Sequence, residues 1–237
     1  MTGSGTSART DKAALRDAAT IILLRDRTTT PAILMGQRGA SAAFMPMKFV
    51  FPGGAVDPGD AAIPLAANVS GTCAARLAEE SRTSPDTLAA AAIRELWEET
   101  GQVLGRPGVW PDPPADWAGF AATGHLPDAS ALQFVFRAVT PVGRPRRFDA
   151  RFFLADAAAL ATDPDDFELA SDELSLLQWV PLEEARSFDL PFITEVVLAE
   201  LANRLDDPGP PERVPFFRND DEAHLVTRLG GVSPLAG

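Results

Sequence analysis

An α/β fold, a mixed sheet with helices on its faces, is what this chain predicts. Strand-like apolar runs are interleaved with helical segments rather than grouped apart from them. One helical segment carries signals at both of its ends. The 237 residues are 46% hydrophobic, enough for a substantial core and for one domain with extensions.

Residues 18–25 and 32–37 read as two strands around the turn Asp26-Arg27-Thr28-Thr29-Thr30-Pro31, a hairpin signal. Strand character returns at 49–51, and helical character follows at 72–81 and 84–100. For the second helix, Ser84 is a good N-cap, Pro85 fits the first helical position and Asp86 suits the positive end. Gly101 suits the left-handed residue after the last turn. From 105 to 128, Gly105-Arg106-Pro107-Gly108 and Pro111-Asp112-Pro113-Pro114 break the pattern and predict a long, partly ordered loop, either functional or mobile. Strands resume at 132–139, 148–154 and 176–180, with helical character at 182–187 and 191–205. Residues 1–14 read as a flexible tail and 15–237 as a single domain, with an insertion at about 61–83 and a C-terminal extension at about 206–237.

The charge balance excludes some partners. With 21 basic against 33 acidic residues, net −12, neither a nucleic-acid groove nor an anionic membrane surface is expected. The apolar run Ile21-Ile22-Leu23-Leu24 is far shorter than a membrane span or a secretory core. A lone Cys73 forbids an intramolecular disulfide and suits a reducing cytoplasm; its ordinary reading is a small buried apolar residue. A homodimer is left open.

Chemistry concentrates in Arg94-Glu95-Leu96-Trp97-Glu98-Glu99-Thr100-Gly101. At about 100° per residue, Glu95, Glu98 and Glu99 share one arc of a helix, with Ala89, Ile93, Leu96 and Trp97 opposite. Like charges at these spacings oppose helix formation by a few tenths of a kcal/mol per pair. A hard divalent cation, Mg²⁺ or Mn²⁺, reverses the sign because it prefers carboxylate oxygens. Two readings stand: a solvated acidic face, or a face that chelates, with Glu98 and Glu99 as first ligands and Glu95 as a third carboxylate that binds a second ion or accepts a proton from water.

Upstream, Phe51-Pro52-Gly53-Gly54-Ala55-Val56-Asp57-Pro58-Gly59-Asp60 allows a sharp turn and a close approach of main chain to a ligand. Loop and helix together resemble the Nudix box, Gly-x5-Glu-x7-Arg-Glu-U-x-Glu-Glu-x-Gly-U, where U is a bulky apolar residue. Gly54 matches the opening glycine, Arg94, Glu95, Leu96, Glu98 and Glu99 the core, and Gly101 the closing glycine. Asp60 stands for a Glu, Gln102 for an apolar residue, and residues 61–93 separate Asp60 from Arg94 where the motif has seven. A long insertion on a surface loop costs little free energy, so residues 61–83 are expected to form a surface excursion outside the catalytic scaffold.

The resemblance implies an α/β/α sandwich, a carbonyl ligand to the metal from Gly53, and Arg94 as the orienter of Glu95 by ion pairing. Phe44 to Gly54, the interrupted box and Arg147-Phe148-Asp149-Ala150-Arg151-Phe152-Phe153 look like the coenzyme A diphosphatase-like branch. A related signature is met at Arg38 but not at Ala43 or Met47, where Arg and Gly are usual. The implied substrate is coenzyme A or an acyl ester, the alternatives being ADP-ribose, a dinucleotide, or a Nudix module that binds without cutting.

Downstream, Asp172 and Glu173 precede a strand, and the superfamily often supplies a further catalytic carboxylate there; Glu173 is the better candidate. Arg146, Arg147 and Arg151 flank or enter a strand and are candidates to hold phosphates, since guanidinium forks match phosphate oxygens. Residues 147 and 151 share a face with Asp149, and an ion pair to it is the equal alternative. Trp110 and Trp117 either cover a pocket or pack on the body. His125 and His224 lack ligand-spaced partners and are assigned no role.

Overall fold

The computed structural model describes residues 14–42, 44–219 and 226–229. Most of the N-terminal tail, Ala43 and His224 lie outside the described residues.

Strand β1 (Leu15–Arg25) runs through the middle of the sheet and is apolar on both sides, as a strand covered on both faces must be. Its Ala19, Ile21 and Leu23 join one core and its Ile22 and Leu24 a second. β2 (Ala32–Arg38) returns antiparallel beside it. Two short strands follow, β3 (Phe49–Val50) on β2 and β4 (Gly53–Ala55) on β1, so the chain changes neighbours at Phe51-Pro52. Next come α1 (Gly71–Ala78), α2 (Pro85–Thr100), β5 (Gly105–Pro107), α3 (Ala118–Ala122), β6 (His125–Pro127), β7 (Gln133–Val139) and β8 (Arg147–Asp156). The remaining elements are β9 (Leu174–Pro181), α4 (Phe192–Ala202), β10 (Val214–Phe217) and β11 (Val226–Leu229).

The sheet order is β11-β10-β7-β8-β1-β2-β3, with β4 also on β1 and β9 on β2. β1 with β8 and β10 with β7 run parallel and the other pairs antiparallel, so the sheet is mixed. On one face α2 packs Leu88, Ile93 and Leu96 onto Ile21, Leu23, Phe134 and Phe153. On the other, α4 packs Val197, Leu198 and Leu201 with Ile22, Phe136, Phe152 and Leu154. The result is the predicted α/β/α arrangement.

Helix α2 ends where its sequence says. The Ser84 Oγ accepts from the Thr87 amide at 3.1 Å. Gly101 takes φ 71°, and its amide donates to the Trp97 carbonyl at 2.8 Å.

Three expectations need correction. Residues 61–83 are not a surface excursion: Ile63, Val69, Cys73 and Leu77 are buried in the α2-side core. Arg137 also anchors the end of this segment, donating to the Glu79 and Glu80 carbonyls at 2.9 Å each while forking onto Asp149. The stretch 105–128 contains the β5–β6 hairpin and α3, and its Trp117 and Phe120 are buried against Trp97 and Trp110. Of residues 182–187, only Ala185–Ser187 form a short 3₁₀ turn. Within the C-terminal extension lies β10, whose Val214 and Phe216 enter the core. Apolar strand and helix residues that close a core are not distinguishable from appended ones until their partners are known.

Candidate active site

Strand β4 and the last turns of α2 meet at one place. Gly53 pairs with Thr20 and Gly54 with Ala19, which lays this strand against the helix. A Cβ at Gly53 would stand 2.6 Å from the Ala19 carbonyl oxygen, and its φ of 156° also favours glycine. A Cβ at Gly54 would stand 2.5 Å from the carboxylate of Glu95. The paired glycines therefore serve close approach in a short strand, not the sharp turn expected from their sequence. The Gly53 amide donates to the Glu99 Oε2 at 2.8 Å, tying loop to helix.

Arg94 organises the acids. Its guanidinium is buried and donates to both Asp60 oxygens at 2.9 and 3.1 Å, to Glu95 and Glu98 at 2.9 Å each, and to the Ala55 carbonyl at 3.0 Å. Burial works to lower its pKa, but Asp60, Glu95 and Glu98 more than offset this and the group stays charged. Arg94 thus ties Asp60, Glu95 and Glu98 to one guanidinium. Asp60, noted in the sequence only as a departure, proves to be the anchor of Arg94: it is 2% exposed, and its Oδ2 also accepts from the Asp57 amide at 2.8 Å.

The acidic face is not solvated. Glu99 is 1% exposed and Glu95 9%, while the Glu98 side chain reaches 38%. Burial pushes the Glu95 carboxyl up to about 7 against the pull of Arg94. Burial first, then the neighbouring Glu95 charge, raises Glu99 well above the usual carboxylate range. Burial also raises Glu98. Glu99 Oε1 is buried with no hydrogen-bond partner, an arrangement that costs about 1–3 kcal/mol or more for a charged group.

The other candidates separate. Glu173, just before β9, is exposed and accepts from Arg38 at 3.3 Å. Its charge is felt by both Glu95 and Glu99, and the Ser171 amide donates to the Glu98 carbonyl at 3.1 Å, so its loop borders the site. Arg151 does not present an open fork. It is 1% exposed, ion-paired to Asp17 and Asp149, and bonded to Ser81, which is the ion-pair alternative rather than the phosphate one. The Arg147 Nε donates to the Thr140 carbonyl at 3.2 Å. Cys73 is buried and His125 pairs with Thr123. Arg38 was visible in the sequence only as one match to a signature; the structure adds that its Nε is buried without a partner beside Glu173.

Among the described residues, no three His, Cys, Asp or Glu side chains already converge on one metal-sized point. The donor chemistry nevertheless fits a hard divalent cation: three carboxylates with raised pKa values share the end of this helix, and Glu99, which bonds the Gly53 amide, has an orphaned oxygen. Glu98, held by Arg94, is the most exposed of the three.

No family model matches the chain. Over 182 residues it is 33% identical to "Putative nudix hydrolase 7" of Caenorhabditis elegans, a match covering 71% of this chain and 52% of that protein. The chain thus spans about half the length of the curated relative it matches. A crystal structure of a Nudix hydrolase from Alicyclobacillus acidocaldarius superposes with a TM-score of 0.61 and 27% identity, over 84% of this chain and 99% of that one. Fold and relatives alike are those of the Nudix superfamily. In this chain Asp60 and Arg94, separated by a segment whose Ile63, Val69, Cys73 and Leu77 pack into the core, meet as a buried ion pair. Among the described residues, no helix is long and apolar enough to cross a membrane.

Proposed function

We propose that the chain is a divalent-metal-dependent Nudix pyrophosphohydrolase that cleaves the diphosphate of a nucleoside diphosphate linked to another moiety, with coenzyme A or an acyl-coenzyme A as substrate. The observation that carries this reading is the trio Glu95, Glu98 and Glu99, two buried and one half-buried, an excess of negative charge that Arg94 alone does not balance. Glu98, Glu99, Glu95 and the Gly53 carbonyl would hold Mg²⁺ or Mn²⁺. When bound, the cation neutralises charge developing on the phosphoryl oxygens. Arg94 keeps Glu95 and Glu98 in register through its anchorage on Asp60. Glu173 accepts the proton of the attacking water, an exposed carboxylate at the edge of the site being able to pass it on to solvent. Arg38, next to Glu173, is better placed than Arg147 or Arg151 to meet a phosphate.

The substrate half of the proposal rests on the resemblance of residues 44–54, the interrupted box and 147–153 to the coenzyme A diphosphatase-like branch. The small-molecule partner, the reducing cytoplasm and a homodimer belong to the same proposal. Incubation with coenzyme A, acetyl-coenzyme A, ADP-ribose and NADH plus Mg²⁺ or Mn²⁺, with products identified, tests it. The proposed outcome is 3′,5′-ADP and a phosphopantetheine product. A tenfold preference for ADP-ribose, about 1.4 kcal/mol in transition-state stabilisation, moves the substrate to the alternative. Tight binding with no cleavage of any of them moves the chain to a ligand-binding module.

A further inference from the structure

We infer that Gln102 is a positioning residue for Glu173, docking the 162–173 loop onto the end of the helix that carries the catalytic carboxylates; this rests on the function proposed for that site. Gln102 is fully buried, although the motif has an apolar residue at this place. Its amide is used in full. Nε2 donates to the Asp163 carbonyl at 3.1 Å and the Asp166 carbonyl at 2.6 Å, and Oε1 accepts from the Thr162 hydroxyl at 2.7 Å. That hydroxyl also accepts from the Val103 amide at 3.1 Å. The pocket beneath the helix end is thus polar because loop carbonyls turn into it, and a glutamine is a neutral side chain that both donates twice and accepts.

The loop has further attachments on the same helix end. The Ser171 amide donates to the Glu98 carbonyl, and Leu169 lies against Gly101, where a Cβ would approach its side chain to 2.9 Å. Gln102 and Ser171 therefore hold the loop near both of its ends, and Glu173 follows two residues after the second tether. The loop leaves into β9 through a bulge: Met35 faces Gln178 but Gln37 faces Ser175, so β9 has one residue more than β2 there, and Leu176 takes φ 51°. Bulges of this kind re-aim the side chains beyond them. Arg38 faces Leu174 as a result, and its guanidinium meets Glu173.

Hydrogen exchange and a double-mutant cycle test the inference. In Gln102→Leu, amides of residues 163–173 are expected to exchange at least about tenfold faster while those of α2 keep their protection. The substrate cleaved fastest in the panel above should show kcat lowered by about tenfold or more with KM little changed, and Gln102→Leu should add almost nothing in a Glu173→Gln background. Gln102→Glu, which keeps size and the bond from Thr162 but sets an acceptor against two carbonyls, serves if the leucine variant does not fold. Unchanged loop exchange, or the same loss of kcat with and without Glu173, overturns the inference. Full turnover in Glu173→Gln alone instead overturns the proton-accepting role given to Glu173, and this inference with it. If no compound of the panel is cleaved, the proposed function fails, and the exchange measurement still decides whether Gln102 docks the loop.

Discussion

Asp60 and Arg94 form a two-pronged ion pair, at 2.9 and 3.1 Å, with both side chains almost wholly buried and the core-packed segment 61–93 between them in the chain. Removing one charge from such a pair leaves the other buried and uncompensated, at a cost of about 3–5 kcal/mol. Asp60→Asn is expected to lower unfolding free energy by that order in urea denaturation. It should also reduce turnover, because Arg94 loses the anchor from which it holds Glu95 and Glu98. Unaltered kcat in a folded Asp60→Asn protein would show that Arg94 needs no anchor.

Glu98→Gln and Glu99→Gln are each expected to lower kcat by 100-fold or more, about 2.7 kcal/mol in the barrier. Their stabilities should part company. Glu99 is the buried carboxylate with one oxygen left without a partner, so Glu99→Gln is expected to raise the Tm of chelator-treated protein. Glu98 is half-buried and its neutralisation should move Tm little. Near-normal turnover at saturating Mg²⁺ removes either glutamate from the ligand set.

The pKa of Glu95, raised from 4.5 to about 7, sets a pH dependence. Between those values the folded protein binds more protons than the unfolded chain, so stability is full below pH 4.5 and falls as pH rises through 7. The loss is roughly 3.5 kcal/mol at about 1.4 kcal/mol per pH unit. Glu99 is shifted in the same direction. Urea denaturation with chelator at pH 5, 6, 7 and 8 should show the decline for wild type and a flatter profile for Glu95→Gln. Added Mg²⁺ should recover most stability at pH 8, where the carboxylates are ionised.

Gly53→Ala and Gly54→Ala are expected to fail differently. A Cβ at 53 meets backbone, the Ala19 carbonyl at 2.6 Å and the Thr20 Cα at 2.7 Å, so the strand pairing itself must shift. That variant should lose stability first. At 54 the obstacle is the Glu95 carboxylate, a side-chain end that is able to move. Gly54→Ala should stay folded with kcat reduced, a contrast that Tm and kinetics measured together will display.

Leu77→Ala tests whether the inserted segment is part of the core. With Leu77 1% exposed, truncation is expected to cost about 2–5 kcal/mol. A cost near zero in chemical denaturation would return residues 61–83 to the status of a surface excursion.

Helix α2 was legible from residue to residue. Its Ser84 cap, Gly101 stop and the spacing of Glu95, Glu98 and Glu99 are local properties of the chain, set by helix geometry and by which residues tolerate a helix end. The strands around Asp26–Pro31 and the alternation of elements were legible for the same reason, and with them the mixed α/β fold. Burial of that acidic arc was not. Whether Glu99 faces water or Gly53 depends on β4 crossing to pair with β1, a contact between positions 46 residues apart. The fate of Arg151 turned on Asp17, which β1 brings alongside β8 from 134 residues away, closing a guanidinium that the strand pattern alone left open to phosphate. Gln102 looked like a mild departure from a motif until the carbonyls of Asp163 and Asp166 came to rest on it. The sequence by itself determined the acidic helix and the type of fold, because those follow from short-range periodicity and end chemistry. Which charges are buried, paired or left in want of a cation was decided only by tertiary structure, because desolvation and Coulomb partners are set by residues that meet in space and not along the chain.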